Sequence, residues 1–241
     1  MKLRTCAAIA VLMLAGCSRP SKSPALPAAK AFGAAITEVS GGKQIGGIGT
    51  ALDQPVVVQV NDAQGSPVAG VLVTFQLAGG ASATPDAGLT GADGQFTTAV
   101  TLGGSSGRYQ VVAATHDKSG KAVELRLDEI ALGLEQTQGR VLNDRYCSRC
   151  HDPESTPERV SNHDNLNAKP HAFIEGAVLN AMSDADLASI IGHGGPALNK
   201  SAEMPPYGYT LSKTEVDSLI AYIRAVADPP YRLKGLTYAR N

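Results

Sequence analysis

The segment Val71-Leu-Val-Thr-Phe-Gln-Leu77 places its odd-numbered residues, all of them apolar, on one face of an extended chain. Similar short runs rich in Val and Thr occur before and after it, at Pro55–Val60, Phe96–Leu102, Tyr109–Ala114 and Ala122–Leu127. Turn-forming Asp, Gly, Ser and Pro residues separate these runs at 62–67, 92–94 and 103–107. Short strands with frequent turns predict an all-β sandwich or barrel in the middle of the chain.

The last third of the sequence changes from a strand-like to a helical pattern. Ser183 is a candidate N-cap, followed by apolar residues with helical spacing. Ser212-Lys-Thr-Glu215 is a capping box, and Val216, Leu219, Ile220 and Ile223 fall on one face of the helix that it opens. A shorter amphipathic helix is predicted over 139–146. We therefore expect a multidomain chain, all-β first and all-α afterwards.

Cys147-Ser-Arg-Cys-His151 has the C-x-x-C-H spacing of covalent haem attachment. On a helix, two thiols three residues apart can both reach the vinyl groups of one haem. His151, the next residue, then lies below the iron as an axial ligand. The alternatives are weaker: a thioredoxin-like motif needs a βαβ context, a zinc site needs further paired Cys or His residues, and a disulfide leaves His151 unexplained. The sequence predicts one covalent haem c held by Cys147 and Cys150.

A sixth iron ligand has to come from a distant segment. Met204 is a candidate because it stands in the Pro-rich loop Glu203-Met-Pro-Pro-Tyr207, where prolines stiffen the chain. His/Met ligation raises the reduction potential of a haem. The residues leave two alternatives open: Met204 is only a hydrophobic loop residue, or His163, His171 or His193 is the ligand.

The N-terminus has the features of an export signal. Lys2 and Arg4 precede an apolar run that is too short to span a bilayer and ends in Leu14-Ala-Gly-Cys17. That ending resembles the lipobox of bacterial lipoproteins, which implies cleavage before Cys17 and a lipid on its side chain. We expect a signal peptide at 1–16, a disordered Pro/Ala/Ser-rich tether at 17–35, the β-domain at 36–132 and the helical domain at 133–241.

Two family resemblances are carried by longer stretches. "GGIGTALDQPVVVQVNDAQGSPVAGVLVTFQL" (46–77) and "GADGQFTTAVTLGGSSGRYQVVAAT" (91–115) resemble the bacterial Ig-like repeats of invasins and intimins, which act as spacers or adhesive stalks. Residues 139–232 resemble class I monohaem cytochromes c. The second resemblance implies that Cys147 and Cys150 bind haem, with His151 proximal and Met204 distal. The sequence departs from that family at Asn143, at Asp152-Pro153 and at Tyr207.

Composition limits the possible functions. The chain has 241 residues and a net charge of −1, which argues against a nucleic-acid partner. We expect an electron carrier rather than an enzyme, lipid-anchored to a bacterial membrane on the periplasmic side, with the outer membrane preferred. Its partners would be redox proteins, with the Ig-like domain as spacer or docking module. Alternatives are a cytochrome subunit of an oxidoreductase complex, a haem-based ligand sensor and a surface adhesion lipoprotein.

Overall fold

The computed structural model describes residue 29, residues 31–157 and residues 159–232. The predicted signal peptide, the lipidated Cys17 and most of the tether lie outside the described residues, as do residues 233–241. No helix within the described ranges is long and apolar enough to cross a membrane.

Within residues 31–132, nine strands form two sheets. They are β1 (Ala35–Ser40), β2 (Ile45–Gly47), β3 (Val56–Asn61), β4 (Leu72–Leu77), β5 (Ser82–Thr84), β6 (Ala87–Leu89), β7 (Gln95–Thr101), β8 (Gly107–His116) and β9 (Ala122–Leu132). One sheet has the order β1-β3-β7-β5 and the other β2-β9-β8-β4-β6. Pairing is antiparallel except between β2 and β9, which are parallel.

The alternation in the sequence becomes the core between the two sheets. Val56, Val58 and Val60 of β3 and Val73 of β4 are fully buried, as the period of two requires. The five predicted strands are confirmed, and the last of them extends to Leu132. Strands β1, β2, β5 and β6 had not been predicted. They are short or polar, and each pairs through its backbone with one of the predicted strands.

The predicted turns use side-chain chemistry typical of Asp. The Asp62 carboxylate accepts hydrogen bonds from the backbone N–H groups of Gln64 at 2.9 Å and Ser66 at 2.8 Å. Asp93 accepts in the same way from Gln95 at 3.0 Å. These carboxylates therefore serve to reverse the chain between strands.

Glu129 is the one fully buried carboxyl group among the described residues of the β-region. Its Oε2 accepts a hydrogen bond from the Gln44 backbone N–H at 2.7 Å, whereas Oε1 has no partner in the described part of the chain. Burial raises the pKa of Glu129 to about 7, with smaller contributions from Glu38 and Asp128. Glu129 therefore takes up a proton much more readily inside the sandwich than a carboxyl group in water does.

Helices follow directly after the last strand. They are α1 (Leu134–Leu142), continued by a π-helical turn (Asn143–Cys147) into α2 (Ser148–His151), then α3 (Gly176–Leu179), α4 (Asp184–His193) and α5 (Lys213–Val226). Capping boxes begin α4 at Ser183 and α5 at Ser212, as predicted for the second. Helix α1 begins at Leu134, earlier than the predicted residue 139. The first turn was not predicted because Leu134 is 87% exposed and does not continue the apolar face of the helix.

Candidate functional site

The helices and the loops between them border a largely apolar cavity of about 610 Å³. Cys147, Cys150, His151 and Met204 all border it, so the structure brings the four predicted site residues inside the described region to one place. Its walls include Phe173, Leu179, Leu187, Ile191, Leu219 and Ile223. This volume is within the range of about 300–1,000 Å³ that is usual for ligand sites.

The two cysteines lie on a distorted helix. Cys147 ends the π-helical turn and is 7% exposed, whereas Cys150 in α2 is half-buried, and both are free thiols. Single π-turns inside α-helices often mark functional sites, since they change the direction of the side chains that follow. Burial, together with the nearby Cys150 and Asp144, raises the pKa of Cys147 to about 12, so its sulfur is a protonated thiol at neutral pH.

His151 is held in the orientation that an axial ligand needs. Its Nδ1 lies 2.8 Å from the carbonyl oxygen of His171, and a carbonyl can only accept, so Nδ1 carries the proton. The lone pair of Nε2 is then free to bind a metal. The Phe173 ring packs at 4.8 Å between centroids, and burial lowers the pKa of His151, which favours the neutral imidazole.

Close backbone packing positions the loop of Met204. The Met204 carbonyl accepts from the Gly195 N–H at 3.0 Å, and the Met204 N–H donates to Ser201 at 3.3 Å. A Cβ at Gly195 would overlap with the Ser201 carbonyl, so only glycine fits there. Gly194 has φ of +82°, and a Cβ there would lie 2.8 Å from the Met204 carbonyl oxygen. Gly194 and Gly195 therefore fix the backbone position of Met204, from which its thioether side chain extends.

Tyr207 stands at one of the three places where the sequence departs from the cytochrome pattern. Its hydroxyl donates to the Tyr146 carbonyl at 3.0 Å, and the two rings lie 5.9 Å apart. The Met204 loop is thus tied to the residue immediately before the first cysteine.

The three histidines considered as rival ligands have different surroundings. His171 borders the cavity, but its Nδ1 lies 2.8 Å from the Glu175 carboxylate. The His163 ring contacts Asp164 and the Pro170 carbonyl. His193 is not among the residues that line the cavity, and its Nδ1 lies 3.2 Å from the Ser189 carbonyl.

Sequence reasoning missed Met182, a second methionine that borders the cavity. Its backbone carbonyl accepts from Arg224 Nη2 at 2.7 Å, and the same guanidinium donates to Leu179 and Asp184. The only signal was its position directly before the Ser183 cap, which has no bearing on ligation. Met182 therefore has to be included in any test of the sixth ligand.

The donor set fits a covalently bound haem. Two cysteines three residues apart, a histidine with a neutral imidazole and two methionines border one largely apolar space. Thioether and imidazole groups are the axial ligands of cytochromes c, and the apolar shell of a metal site controls its solvent access and dielectric.

Two family models match separate parts of the chain. The bacterial Ig-like domain (group 1) matches residues 53–127, and subunit III of cbb3-type cytochrome c oxidase matches residues 135–223. A cytochrome c domain of this family implies covalently bound haem c, and it indicates an electron carrier rather than an enzyme. No curated protein matches the chain significantly.

Solved structures similar to this chain include the D00-D0 domain of intimin, at 20% identity and TM-score 0.33 over 44% of this chain and 50% of that one. The bacterial integrin-binding protein invasin has 23% identity and TM-score 0.31, over 40% of this chain and 19% of its own. The Yersinia pseudotuberculosis adhesin InvE has 16% identity and TM-score 0.28, over 41% of this chain and 32% of its own. The chain thus spans half the length of the intimin fragment, and less of the other two. The two family models thus find a bacterial Ig-like domain (group 1) within residues 53–127 and a cbb3-type cytochrome c domain within residues 135–223.

Proposed function

We propose that this protein is a membrane-anchored periplasmic electron-transfer protein with one haem c. Cys147 and Cys150 attach the haem, and His151 and Met204 are its axial ligands. The chain divides into an Ig-like domain at 36–132 and an all-α cytochrome c domain at 133–241. The observation that carries the proposal is the apolar cavity that all four residues border.

The chemistry of the residues supports transfer of electrons rather than catalysis on a substrate. When bound, haem supplies an iron that exchanges one electron reversibly. His151 and Met204 would both bind the iron, so that it would exchange electrons rather than bind a substrate. The His171 carbonyl fixes the imidazole proton at Nδ1, and the lining of the cavity is largely apolar. Ligands held in fixed positions reduce the rearrangement that accompanies a change of charge.

Covalent attachment is the direct test. Intact mass measurement of the protein from an oxidising, maturation-competent bacterial host should show one added haem that resists extraction under denaturing acid conditions. The Cys147→Ser/Cys150→Ser double variant should lose that mass, because no thiol remains to add across a vinyl group. Arg149→Ala is the matched control, since Arg149 is exposed and lies between the two cysteines. Wild-type protein without covalent haem, or a double variant that retains it, contradicts the proposal.

Membrane attachment is a separate part of the proposal. Its support is the order Leu14-Ala-Gly-Cys17 after an apolar run, which would place a lipid on Cys17 and leave a tether before the Ig-like domain. We expect Cys17→Ser to move the protein from the membrane to the soluble periplasmic fraction, whereas Cys6→Ser leaves it membrane-bound. A Cys17→Ser protein that still sediments with membranes, together with wild type that takes no palmitate label, refutes lipidation.

The partners would be redox proteins that donate and accept electrons, with the Ig-like domain as spacer or docking module and the outer membrane as the preferred site. A second candidate is a cytochrome subunit of an oxidoreductase complex, which the description of the matched family favours. Purification of the protein from membranes in mild detergent distinguishes the two functions. A subunit co-purifies with an oxidoreductase, whereas a free electron carrier does not.

A further inference from the structure

The Ig-like and helical regions pack against each other beyond the single connecting residue 133. Ile130 and Leu132 of β9 form a buried cluster with Tyr222 and Val226 of α5, and Phe173 packs against this cluster. Arg140 of α1 also donates to the Ile45 carbonyl of β2 at 2.9 Å. The last strand of the sandwich thus lies against the helix that closes the haem cavity.

Arg108 of β8 reaches across this boundary to the end of α5. Its Nη2 donates to the carbonyl of Ala227 at 2.6 Å and contacts that of Val226 at 3.4 Å. The last carbonyls of a helix lack partners within the helix, and a cation there is favoured by the helix dipole. The guanidinium therefore fixes the point at which the chain leaves α5.

Asp228, the residue after Ala227, pairs through its backbone with the segment that packs against His151. The Asp228 N–H donates to the Ile174 carbonyl at 2.8 Å, and the Gly176 N–H donates to the Asp228 carbonyl at 3.0 Å. A Cβ at Gly176 would lie 2.8 Å from the Asp228 carbonyl carbon, so the two backbones are in close contact. Asn180 Nδ2 adds a hydrogen bond to the Pro229 carbonyl at 2.8 Å.

The same segment supplies both groups that orient the imidazole. The His171 carbonyl accepts the His151 Nδ1 proton, and Phe173 packs on the ring. Glu175 holds this segment together by accepting from the Ala172 N–H at 3.0 Å. A continuous series of direct contacts therefore runs from the Ig-like domain to His151.

We propose that Arg108 is a positioning residue for His151, acting through Ala227–Asp228 and the segment His171–Gly176, so that the Ig-like domain is a structural part of the haem site. The relevance of this inference to electron transfer rests on the proposed function. Outer-shell groups that orient a ligating histidine alter its basicity and the potential of the metal.

The test uses the full chain with Arg108→Met, Arg108→Lys and the control Arg126→Met. Arg126 lies on β9 and is 57% exposed, in a surface pair with Glu124. Arg108→Met should speed amide exchange of Gly176 and Asp228 about ten-fold, because a charge-assisted hydrogen bond that secures this pairing is lost. It should also shift the ¹⁵N resonance of His151 Nδ1 and the reduction potential, while the haem stays covalent. Arg108→Lys keeps a cation and should give smaller changes of the same sign. If Arg108→Met does not fold, Arg108→Lys is compared with wild type in its place.

The control separates the possible outcomes. Arg126→Met should leave amide exchange, the His151 resonance and the potential unchanged. Equal effects of Arg108→Met and Arg126→Met overturn the inference, as does faster exchange at Gly176 and Asp228 with an unchanged His151 resonance. Wild type without covalent haem overturns the proposed function instead, and the exchange and ¹⁵N measurements still decide whether Arg108 acts on His151.

Discussion

Replacement of Met204 by leucine should remove the sixth iron ligand while leaving the haem covalently attached. A thioether ligand favours Fe(II), so the reduction potential should fall by on the order of 0.1 V or more, within the span of about 0.8 V over which axial ligands move haem potentials. The weak far-red band of an Fe(III)–thioether bond should disappear, and the reduced protein should bind CO readily. Visible spectroscopy, CO titration and potentiometry measure these three changes.

Met182→Leu is the matched control, because Met182 also borders the cavity and the substitution is the same. It should keep the far-red band and the slow reaction with CO. If Met182→Leu removes the band and Met204→Leu does not, then Met182 is the ligand. If His171→Ala alone abolishes the native low-spin spectrum, the haem has two histidine ligands and the assignment of Met204 is wrong.

Gly139→Ala should destabilise the helical domain by about 1–3 kcal/mol, although alanine is the better helix former by about 1 kcal/mol. Gly139 is buried where α1 crosses α5, and a Cβ there would overlap with the Ser218 carbonyl and lie 2.7 Å from the Cβ of Tyr222. The helices would have to separate, which also moves the cysteine motif that follows α1. Chemical denaturation monitored by far-UV circular dichroism gives the change in the free energy of unfolding.

Gly192→Ala is the control for this substitution. Gly192 lies within α4, and a Cβ there would meet no atom within 4 Å. Alanine at this position should be neutral or stabilise by up to about 1 kcal/mol, through helix propensity alone. Equal stabilities of the Gly139→Ala and Gly192→Ala proteins would refute the close crossing of α1 and α5.

Much of the fold follows from local patterns in the sequence. The alternation at 71–77 and in the similar runs predicts the main strands, because burying one face of a strand imposes a period of two. The Ser212 capping box predicts the start of α5 because its side-chain contacts join residues only three apart. The two resemblances, carried by contiguous motifs, correspond to the two matched families.

The short strands β5 and β6 were missed because their residues carry no periodic signal and are held in place by their neighbours. Met182 was missed because no local pattern marks it, and its place beside the cavity depends on how distant segments of the chain pack.

The sequence by itself determined the five main strands, the starts of α4 and α5 and the place of the C-x-x-C-H motif, since spacing along the chain specifies each of them. Only the tertiary structure decided that Cys147, His151 and Met204 border one cavity with Met182. The same is true of the hydrogen bond from Arg108 to the end of α5, next to the segment that orients His151. Those contacts join residues tens of positions apart. They depend on helix crossings such as that of Gly139 on Ser218, where the absence of a side chain sets the distance between backbones.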